Sequence, residues 1–284
     1  MSLLITPERL AADLASGAPP RVLDVRWRLN EPEGRPAYLA GHVPGAVFVD
    51  LERELADPGR PELGRYPLPD PTRLSAAARR WGLSRGDRVV VYDDNDGVAA
   101  ARAWWMLRGH GVAIEVLDGG FRAWLDHGGM LERGDRAVAP GDVEWGTSAS
   151  PVAGMDEAAL APREGILVDV RTPAQYRGQA PTHDPVSGHI PGAINIPAVT
   201  HIDPEGRLRP PAHIRRVLES RGIAPGDRIV LYCGNGIASS HSALAFESAG
   251  VHTLLFVGGW SQWSRTPGRP VARGATPAEE ISTV

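Results

Sequence analysis

The feature that most constrains this chain is an internal repeat, in which two sets of short motifs occur in the same order. Residues 22–51 contain Asp-Val-Arg and then Gly-His-Val-Pro-Gly-Ala, and residues 167–197 contain Asp-Val-Arg and then Gly-His-Ile-Pro-Gly-Ala. Further along, residues 86–129 match residues 226–263, since both begin with Gly-Asp-Arg and reach a Gly-Gly-aromatic motif. A repeat of this kind predicts one structural unit that occurs twice.

Chain length and local patterning indicate where the two units divide. At 284 residues the chain exceeds the usual size of one domain. We predict an N-terminal domain over residues 1–135, a linker rich in Gly, Pro and Ser over 136–152, and a C-terminal domain over 153–284. Each half alternates short Val- and Ile-rich runs with helix-like segments. This favours an α/β fold in which a mainly parallel sheet is flanked by helices.

The same patterning gives approximate positions for the main elements of both halves. The predicted strands cover residues 22–25, 89–92, 112–117, 166–170, 229–232 and 253–257. The predicted helices lie near residues 71–82, 97–109, 211–221 and 237–249.

Charge and hydropathy argue against several classes of partner. Acidic and basic residues are mixed along the chain, and a net charge of −4 gives no overall attraction to nucleic acid or to an anionic membrane. No long apolar run occurs, and the first ten residues do not resemble a signal peptide, so we expect a cytoplasmic protein. The single cysteine excludes an internal disulfide and a zinc site built on several thiolates.

The two halves differ at one position that follows a predicted strand. Tyr92 precedes Asp93 in the first half and Tyr232 precedes Cys233 in the second, so a thiol stands opposite a carboxylate. Both positions should lie at the carboxyl end of a parallel strand, where ligands usually bind. A lone cysteine is more often a buried structural residue, but a core position would hardly align with aspartate. We therefore interpret Cys233 as a nucleophile.

The loop after this cysteine has properties that suit a negatively charged sulfur. Its glycines allow successive N–H groups to point inward, and the predicted helix that follows presents its positive end. These groups should stabilise a thiolate, and they would also stabilise a persulfide or a donor oxyanion. The loop residues that we expect to contact substrate are Gly234, Asn235, Gly236, Ile237, Ala238 and Ser239.

Four features together resemble the rhodanese family of sulfurtransferases: the tandem repeat, the two Gly-His-x-Pro-Gly-Ala motifs, the Tyr-Cys-Gly-x-Gly sequence and the final Gly-Gly-Trp. The resemblance covers nearly the whole chain and implies an inactive first domain and a catalytic second domain. It also implies that Cys233 takes sulfur from a small anionic donor, thiosulfate or 3-mercaptopyruvate, and forms a persulfide. Cyanide, a small thiol or a reduced redox protein would then accept that sulfur.

Donor preference in the family follows the residues after the cysteine. Members that prefer thiosulfate tend to read Cys-Arg-Lys-Gly, whereas those that prefer mercaptopyruvate tend to read Cys-Gly-Ser-Gly or Cys-Gly-Thr-Gly. This chain reads Cys-Gly-Asn-Gly, which is closer to the mercaptopyruvate type. Asn235, however, stands where the family has a hydroxyl that belongs to a proton relay, and an amide does not relay a proton as a hydroxyl does.

The resemblance also implies roles for residues outside the loop. The family binds the donor's carboxylate or sulfonate with arginines in Arg-[Phe/Tyr]-Arg-Gly, where this chain has Gln175 in place of the first arginine and retains Arg177. His42 matches a histidine that faces the active site in mercaptopyruvate-type members. Asp169 resembles the acidic residue that supports the active loop. His189, in the second copy of the His42 motif, is expected to be structural.

Other site chemistries fit the sequence less well. A phosphatase of this fold needs an arginine six residues after its cysteine, and this chain has Ser239 there. His183, His189 and His201 are spaced too irregularly for a known zinc pattern. We expect neither a metal nor an organic cofactor. The alternative to an enzyme is a sulfur-carrier or binding protein with little turnover of small donors.

Overall fold

The computed structural model describes residues 2–284, and these residues form two compact units. The first unit comprises the chain up to Asp57 together with Leu68–Ser150 and Ile202–Leu208. The second unit comprises Pro58–Pro67, Pro151–His201 and Arg209–Val284. The segments Pro58–Pro67 and Ile202–Leu208 therefore belong to a different unit from their neighbours in the sequence. The domains predicted above were continuous and did not include this exchange.

Most of the predicted linker belongs to the first unit. The N–H of Gly141 donates to the carbonyl of Arg79 at 2.9 Å, and the N–H of Ala149 donates to the carbonyl of Gly109 at 2.8 Å. The segment has no regular secondary structure, and its content of Gly, Pro and Ser is typical of a linker. Its backbone groups are nevertheless bonded to the unit, and the two units divide between Ser150 and Pro151.

The first unit is built on a parallel sheet of five strands flanked by helices. The order of its strands is β1-β5-β4-β2-β3, and all four pairings are parallel. Its strands are β1 (Leu4–Ile5), β2 (Arg21–Asp24), β3 (Val47–Phe48), β4 (Arg88–Tyr92) and β5 (Ala113–Leu117). Its helices are α1 (Pro7–Leu14), α2 (Arg35–Ala40), α3 (Leu51–Glu54), α4 (Pro71–Arg80), α5 (Val98–Arg108) and α6 (Gly120–Asp126).

The second unit repeats this plan with a four-stranded parallel sheet in the order β7-β6-β8-β9, and it adds an antiparallel pair, β10 and β11. Its strands are β6 (Ile166–Asp169), β7 (Ile194–Asn195), β8 (Ile229–Tyr232), β9 (Leu254–Leu255), β10 (Pro270–Val271) and β11 (Ser282–Thr283). Its helices are α7 (Met155–Glu164), α8 (Pro173–Tyr176), α9 (Pro211–Glu219), α10 (Ile237–Ser248) and α11 (Gly259–Trp263).

The predicted fold class is confirmed, because each unit has a parallel sheet with helices around it. The central strands are apolar and buried apart from the exposed Arg88 at the start of β4, as the continuous Val- and Ile-rich runs predicted. The helices α5 and α10 are also buried over most of their circumference, which explains why their sequences are apolar without a polar stripe. Within residues 2–284, no helix has the length and apolar character needed to cross a membrane.

Candidate active site

Cys233 lies directly after the central strand β8, at the carboxyl end of the second sheet. Its register places Tyr232 beside Asp169, the last residue of the neighbouring strand β6. The cysteine side chain is 2% exposed, and α10 begins four residues later. Gly236 precedes that helix with a φ of +84°, a conformation that favours glycine and turns the chain sharply into α10. Cys233 thus lies at the strand-to-helix turn that the sequence predicted, between β8 and α10.

Two backbone amides of the loop point at the sulfur. The N–H of Gly236 donates to Cys233 Sγ at 3.1 Å, and the N–H of Asn235 approaches it at 3.5 Å. Ala238 and Ser239 occupy the second and third positions of α10, where N–H groups have no partner within the helix. This arrangement, together with the positive end of a twelve-residue helix, favours negative charge on the sulfur.

Asn235 braces the loop through its side-chain oxygen. Its Oδ1 accepts a hydrogen bond from the N–H of Ile237 at 3.4 Å and lies 3.8 Å from Cys233 Sγ. An oxygen held in this way fixes the turn. The Oγ of Ser239 is buried and has no partner among the described residues.

The Gly-Gly-Trp motif holds the same loop from the opposite side. The N–H of Trp260 donates to the carbonyl of Cys233 at 2.8 Å, and the N–H of Ser261 donates to the carbonyl of Gly234 at 2.8 Å. A Cβ on Gly259 would lie only 2.5 Å from the carbonyl oxygen of Cys233. The motif therefore requires glycine at position 259 so that α11 can approach the loop closely.

The corresponding loop of the first unit shows what such a cradle of amides holds. The carboxylate of Asp93 is fully buried and accepts four backbone hydrogen bonds. One oxygen accepts from Asn95 and Gly97 at 2.8 and 2.9 Å, and the other accepts from Ala99 and Ala100 at 2.7 and 2.8 Å. Burial raises the pKa of Asp93, while these amides act in the opposite direction. In this unit the loop carries its own anion.

The two loops differ in length by one residue. Four residues separate Asp93 from the start of α5, and three separate Cys233 from the start of α10. The additional residue in the first loop is accommodated at Asp96, which has a φ of +56°. Ala99 and Ala100 therefore correspond to Ala238 and Ser239, the second and third residues of the two helices.

The Asp-Val-Arg motif forms a buried ion pair below the loop. Arg171 Nη2 lies 2.6 Å from Asp169 Oδ2 and donates to the carbonyl of Gly188 at 2.7 Å. Burial acts to lower the pKa of Arg171, but the charge and hydrogen bonds of Asp169 outweigh it, so the pKa is raised. Asp169 is thus paired with Arg171, and its predicted support of the active loop stays a prediction.

His42 and His189 are both structural in this geometry. The ring of His42 has no exposure, stacks on Tyr38 at 4.0 Å between ring centroids, and places Nδ1 2.9 Å from the Tyr38 carbonyl. His189 repeats this arrangement on Tyr176, with a centroid distance of 3.7 Å. The expectation for His189 agrees with the structure. The expectation that His42 faces a donor does not agree with the structure, because the His42 ring is packed inside the first unit.

Gln175 is occupied as part of a helix cap. Its Oε1 accepts from the N–H of Thr172 at 3.2 Å, while its own N–H donates to the Thr172 hydroxyl at 3.3 Å. This capping box at α8 is visible in the sequence as Thr-x-x-Gln. The structure therefore gives Gln175 a capping contact at α8, and its predicted contact with the donor stays a prediction.

Arg177 lines a groove, and Cys233 is not among the residues that line this groove. The groove has a volume of about 450 Å³ and is lined by Arg177, Arg221, Asn195 and several prolines. Arg177 Nε donates to Gln179 at 2.9 Å, a contact on the surface. The predicted role of Arg177 in binding the donor is thus not supported by its position.

One charged residue near the loop was not singled out from the sequence. Arg65 belongs to the second unit, in the segment Pro58–Pro67. If Gly234 carried a Cβ, the nearest atom to that Cβ would be Arg65 Nη2, at 3.1 Å. Arg65 Nη1 also forms an ion pair with the buried Asp184. No local pattern in the sequence predicts this position, because it depends on packing between residues far apart in the chain.

The histidines of the second unit do not form a metal centre. Among residues 2–284 no group of three or more His, Cys, Asp and Glu side chains is arranged to hold a metal ion. His201 and His241 lie together inside the unit, with ring centroids 6.4 Å apart, and burial lowers their pKa values to about 3 and about 4. Both rings are therefore neutral near pH 7.

Comparison with known proteins agrees with the geometry of the site. The sequence profile described as the rhodanese-like domain matches residues 6–127 and 154–266. SseB of Mycobacterium tuberculosis, provisionally named a thiosulfate sulfurtransferase, is 42% identical over 277 residues, which cover 96% of this chain and 97% of SseB. A provisionally named 3-mercaptopyruvate sulfurtransferase of Pseudomonas aeruginosa is 40% identical over 282 residues, which cover 95% of this chain and 98% of that protein.

A solved structure supports the same assignment. The crystal structure of SseA from Escherichia coli, a 3-mercaptopyruvate enzyme, matches with a TM-score of 0.81 and 29% identity. The match covers 92% of this chain and 100% of SseA. With two profile matches, relatives that are similar over almost their whole length and the same fold, this chain belongs to the rhodanese family as a sulfurtransferase with two rhodanese domains.

Proposed function

We propose that this sulfurtransferase works by double displacement through a persulfide on Cys233, and that its preferred donor is 3-mercaptopyruvate. The observation that carries the proposal is the contact of 3.1 Å between the N–H of Gly236 and Cys233 Sγ, at the start of α10. A sulfur that faces backbone amides and a helix N-terminus is stabilised as a thiolate, the nucleophilic form.

In the first half-reaction the thiolate attacks the sulfur of the donor. A new S–S bond forms, and the bond between that sulfur and the rest of the donor breaks. With 3-mercaptopyruvate a C–S bond breaks, and the electron pair leaves on the pyruvate enolate, which takes a proton and becomes pyruvate. With thiosulfate an S–S bond breaks, and sulfite leaves with the electron pair. Both routes give the Cys233 persulfide.

In the second half-reaction an acceptor removes the outer sulfur. Cyanide attacks this sulfur, a C–S bond forms, the S–S bond breaks, and the electron pair returns to Cys233 as a thiolate. A small thiol or a reduced protein thiol can attack in the same way. Because donor product leaves before acceptor attacks, the kinetics should be ping-pong.

Asp93 supplies an internal analogue of the persulfide. In an aspartate, the carboxylate oxygens are attached to the atom after Cβ, as the outer sulfur is in a cysteine persulfide. The second carboxylate oxygen of Asp93 accepts from the second and third amides of α5. By correspondence, the outer sulfur on Cys233 should accept from the N–H groups of Ala238 and Ser239.

The loop supports mercaptopyruvate over thiosulfate as the donor. Gly234, Asn235 and Gly236 carry no cation of their own, in contrast to the two adjacent cations of Cys-Arg-Lys-Gly, and a thiosulfate dianion carries more charge to be neutralised than a monocarboxylate. The kcat/KM for 3-mercaptopyruvate should therefore exceed that for thiosulfate when cyanide is the acceptor. A higher kcat/KM for thiosulfate would contradict this part of the proposal.

The catalytic role of the cysteine is tested by thiocyanate production. The wild-type protein should release thiocyanate from donor and cyanide over many turnovers, and Cys233→Ser should release none. Undiminished turnover by the serine variant would overturn the mechanism. A single equivalent of thiocyanate per protein, with no further turnover, would instead favour a sulfur carrier.

A further inference from the structure

The segment Pro58–Pro67 packs closely on the part of the second unit that holds the active loop. A Cβ on Gly64 would lie 2.8 Å from the carbonyl oxygen of Gly258, so only glycine permits this approach. Gly64 also has a φ of +109°, which is unfavourable for other residues. The N–H of Arg65 then donates to Ser261 Oγ at 3.0 Å. The backbone that leads into Arg65 is thereby fixed relative to α11.

Two side chains hold the guanidinium of Arg65 in place. Asp184, whose side chain is 3% exposed, forms an ion pair with Arg65 Nη1 and a second one with Arg265 Nη1 at 2.8 Å. Arg265 Nη1 also donates to the carbonyl of Ser261 at 2.6 Å. One carboxylate therefore balances two guanidinium groups, and a net positive charge is left at this place.

The other side of the Arg65 guanidinium is directed toward the active loop. Its Nη2 lies 3.1 Å from the position that a Cβ on Gly234 would occupy, directly after the nucleophile. Its Nε is buried and has no partner among the described residues. An arginine with this geometry has donors left for a planar carboxylate or a sulfonate. A Cβ at position 234 would require the guanidinium to shift by a few tenths of an ångström.

We propose that Arg65 binds the anionic group of the sulfur donor, and that Asp184 and Arg265 are positioning residues that aim it. The inference rests on the proposed function for its donor, but the charge of the site can be tested separately. The proposal places the donor-binding cation in the segment Pro58–Pro67, whereas the family resemblance placed it in the α8 region, where Gln175 caps a helix.

The first test uses two alkylating reagents that differ mainly in charge. Iodoacetate and iodoacetamide both react with the single cysteine by displacement of iodide, so their relative rates report the local electrostatic field. Arg65→Gln should lower the rate with iodoacetate at least several-fold and leave the rate with iodoacetamide nearly unchanged. The control Arg60→Gln removes an exposed cation from the same segment and should leave the ratio of the two rates unchanged.

The second test uses donor kinetics. Arg65→Gln should lower kcat/KM for 3-mercaptopyruvate about 10- to 100-fold, since a hydrogen bond to a charged group is lost. Arg65→Lys should recover part of this loss, because it keeps the charge but not the fork. Asp184→Asn should raise KM several-fold with a smaller change in kcat, and Asp184→Glu should recover part of the loss.

The outcomes separate this inference from the proposed persulfide chemistry. If the wild-type protein takes up no sulfur from any donor, the proposed function fails, and the alkylation ratio still tests Arg65. If Arg65→Gln slows both alkylating reagents equally, or neither, the inference is wrong. If the glutamine variant does not fold, raising the ionic strength should slow iodoacetate more than iodoacetamide in the wild-type protein. An equal response of the two rates would then overturn the inference.

Discussion

Asp93 and Cys233 occupy corresponding positions after the central strands of the two sheets, and each contacts the backbone amides of the loop that follows. The four amide hydrogen bonds of Asp93 are complete without a ligand, so the first loop has no vacancy for an external anion. Cys233 engages two amides and leaves those of Ala238 and Ser239 available. One side chain thus decides whether the amides of the loop are occupied by the protein's own carboxylate.

Replacement of Asp93 by asparagine should destabilise the first unit without abolishing turnover. An amide group has only one oxygen, so its NH2 would face two backbone N–H groups that have lost their acceptor. Each buried N–H without an acceptor lowers the free energy of unfolding by about 1–3 kcal/mol. Urea unfolding should show a loss of a few kcal/mol. The control Asp96→Asn, in the same loop, leaves all four acceptor contacts in place. Equal stability of the two variants would contradict the account.

Gly259 should be intolerant of a methyl group because of its contact with the active loop. Gly259→Ala would place Cβ 2.5 Å from the carbonyl oxygen of Cys233, so the loop must shift. We expect kcat/KM to fall at least tenfold, as the sulfur moves relative to its amides. Gly250→Ala is a matched control, since Gly250 also has a positive φ, +81°, but has nothing within 4 Å of the added methyl. It should cost about 1 kcal/mol of stability and leave activity unchanged.

At the level of elements, the long helices and central strands were predictable from the sequence, and the short connecting elements were not. The predicted helix over 237–249 agrees with α10, and the predicted strand over 229–232 agrees with β8. Their apolar runs are long enough to define the pattern. The helix α8 has only four residues, and β7 has two, so neither shows a period. Such short elements form because neighbouring elements hold them.

The candidate site was predictable only in part, for a related reason. Cys233 and its loop are contiguous in sequence, and the repeat exposes them by comparison with Asp93. Arg65 reaches the site because its N–H bonds to Ser261, 196 residues later, and no local pattern records that contact. Gln175 forms a capping box, which is also a local pattern, and its predicted contact with the donor stays a prediction.

The assignment of Gln175 to a helix cap gives a test at the level of α8. If the residue only caps the helix, Gln175→Arg should not improve kcat/KM for 3-mercaptopyruvate, and it should cost up to about 1 kcal/mol of stability. Thr172→Ala removes the other half of the cap and should have a similar effect on thermal unfolding. A clear gain in donor affinity for the arginine variant would show that position 175 faces the donor.

At the level of the whole molecule, the structure makes the second unit sensitive to acid. His201 and His241 are buried, and their pKa values are lowered to about 3 and about 4, mainly by burial. The unfolded chain binds protons at these histidines below about pH 6.5, whereas the folded chain does not until much lower pH. Stability from both groups is therefore present at pH 7 and is lost as the pH falls toward 4.

Equilibrium unfolding at two pH values checks this prediction. Between pH 7 and pH 5 the free energy of unfolding of the second unit should fall by about 2 kcal/mol for each histidine. His241→Leu removes one titrating group and should reduce this loss by about half. Identical pH dependence in the variant and the wild-type protein would show that His241 does not titrate as its burial requires.

The duplicated molecule thus has one cradle filled by its own carboxylate and one that holds a thiol, and the central claim is that this thiol carries sulfur. Intact-mass measurement after incubation with 3-mercaptopyruvate alone, followed by removal of excess donor, tests this directly. The protein should gain about 32 Da, the mass of one sulfur atom, as expected for a covalent intermediate. Reductant should remove the gain, and Cys233→Ser should show none. A wild-type protein that turns over donor and cyanide without ever showing this mass, or a gain that persists in Cys233→Ser, would contradict the account.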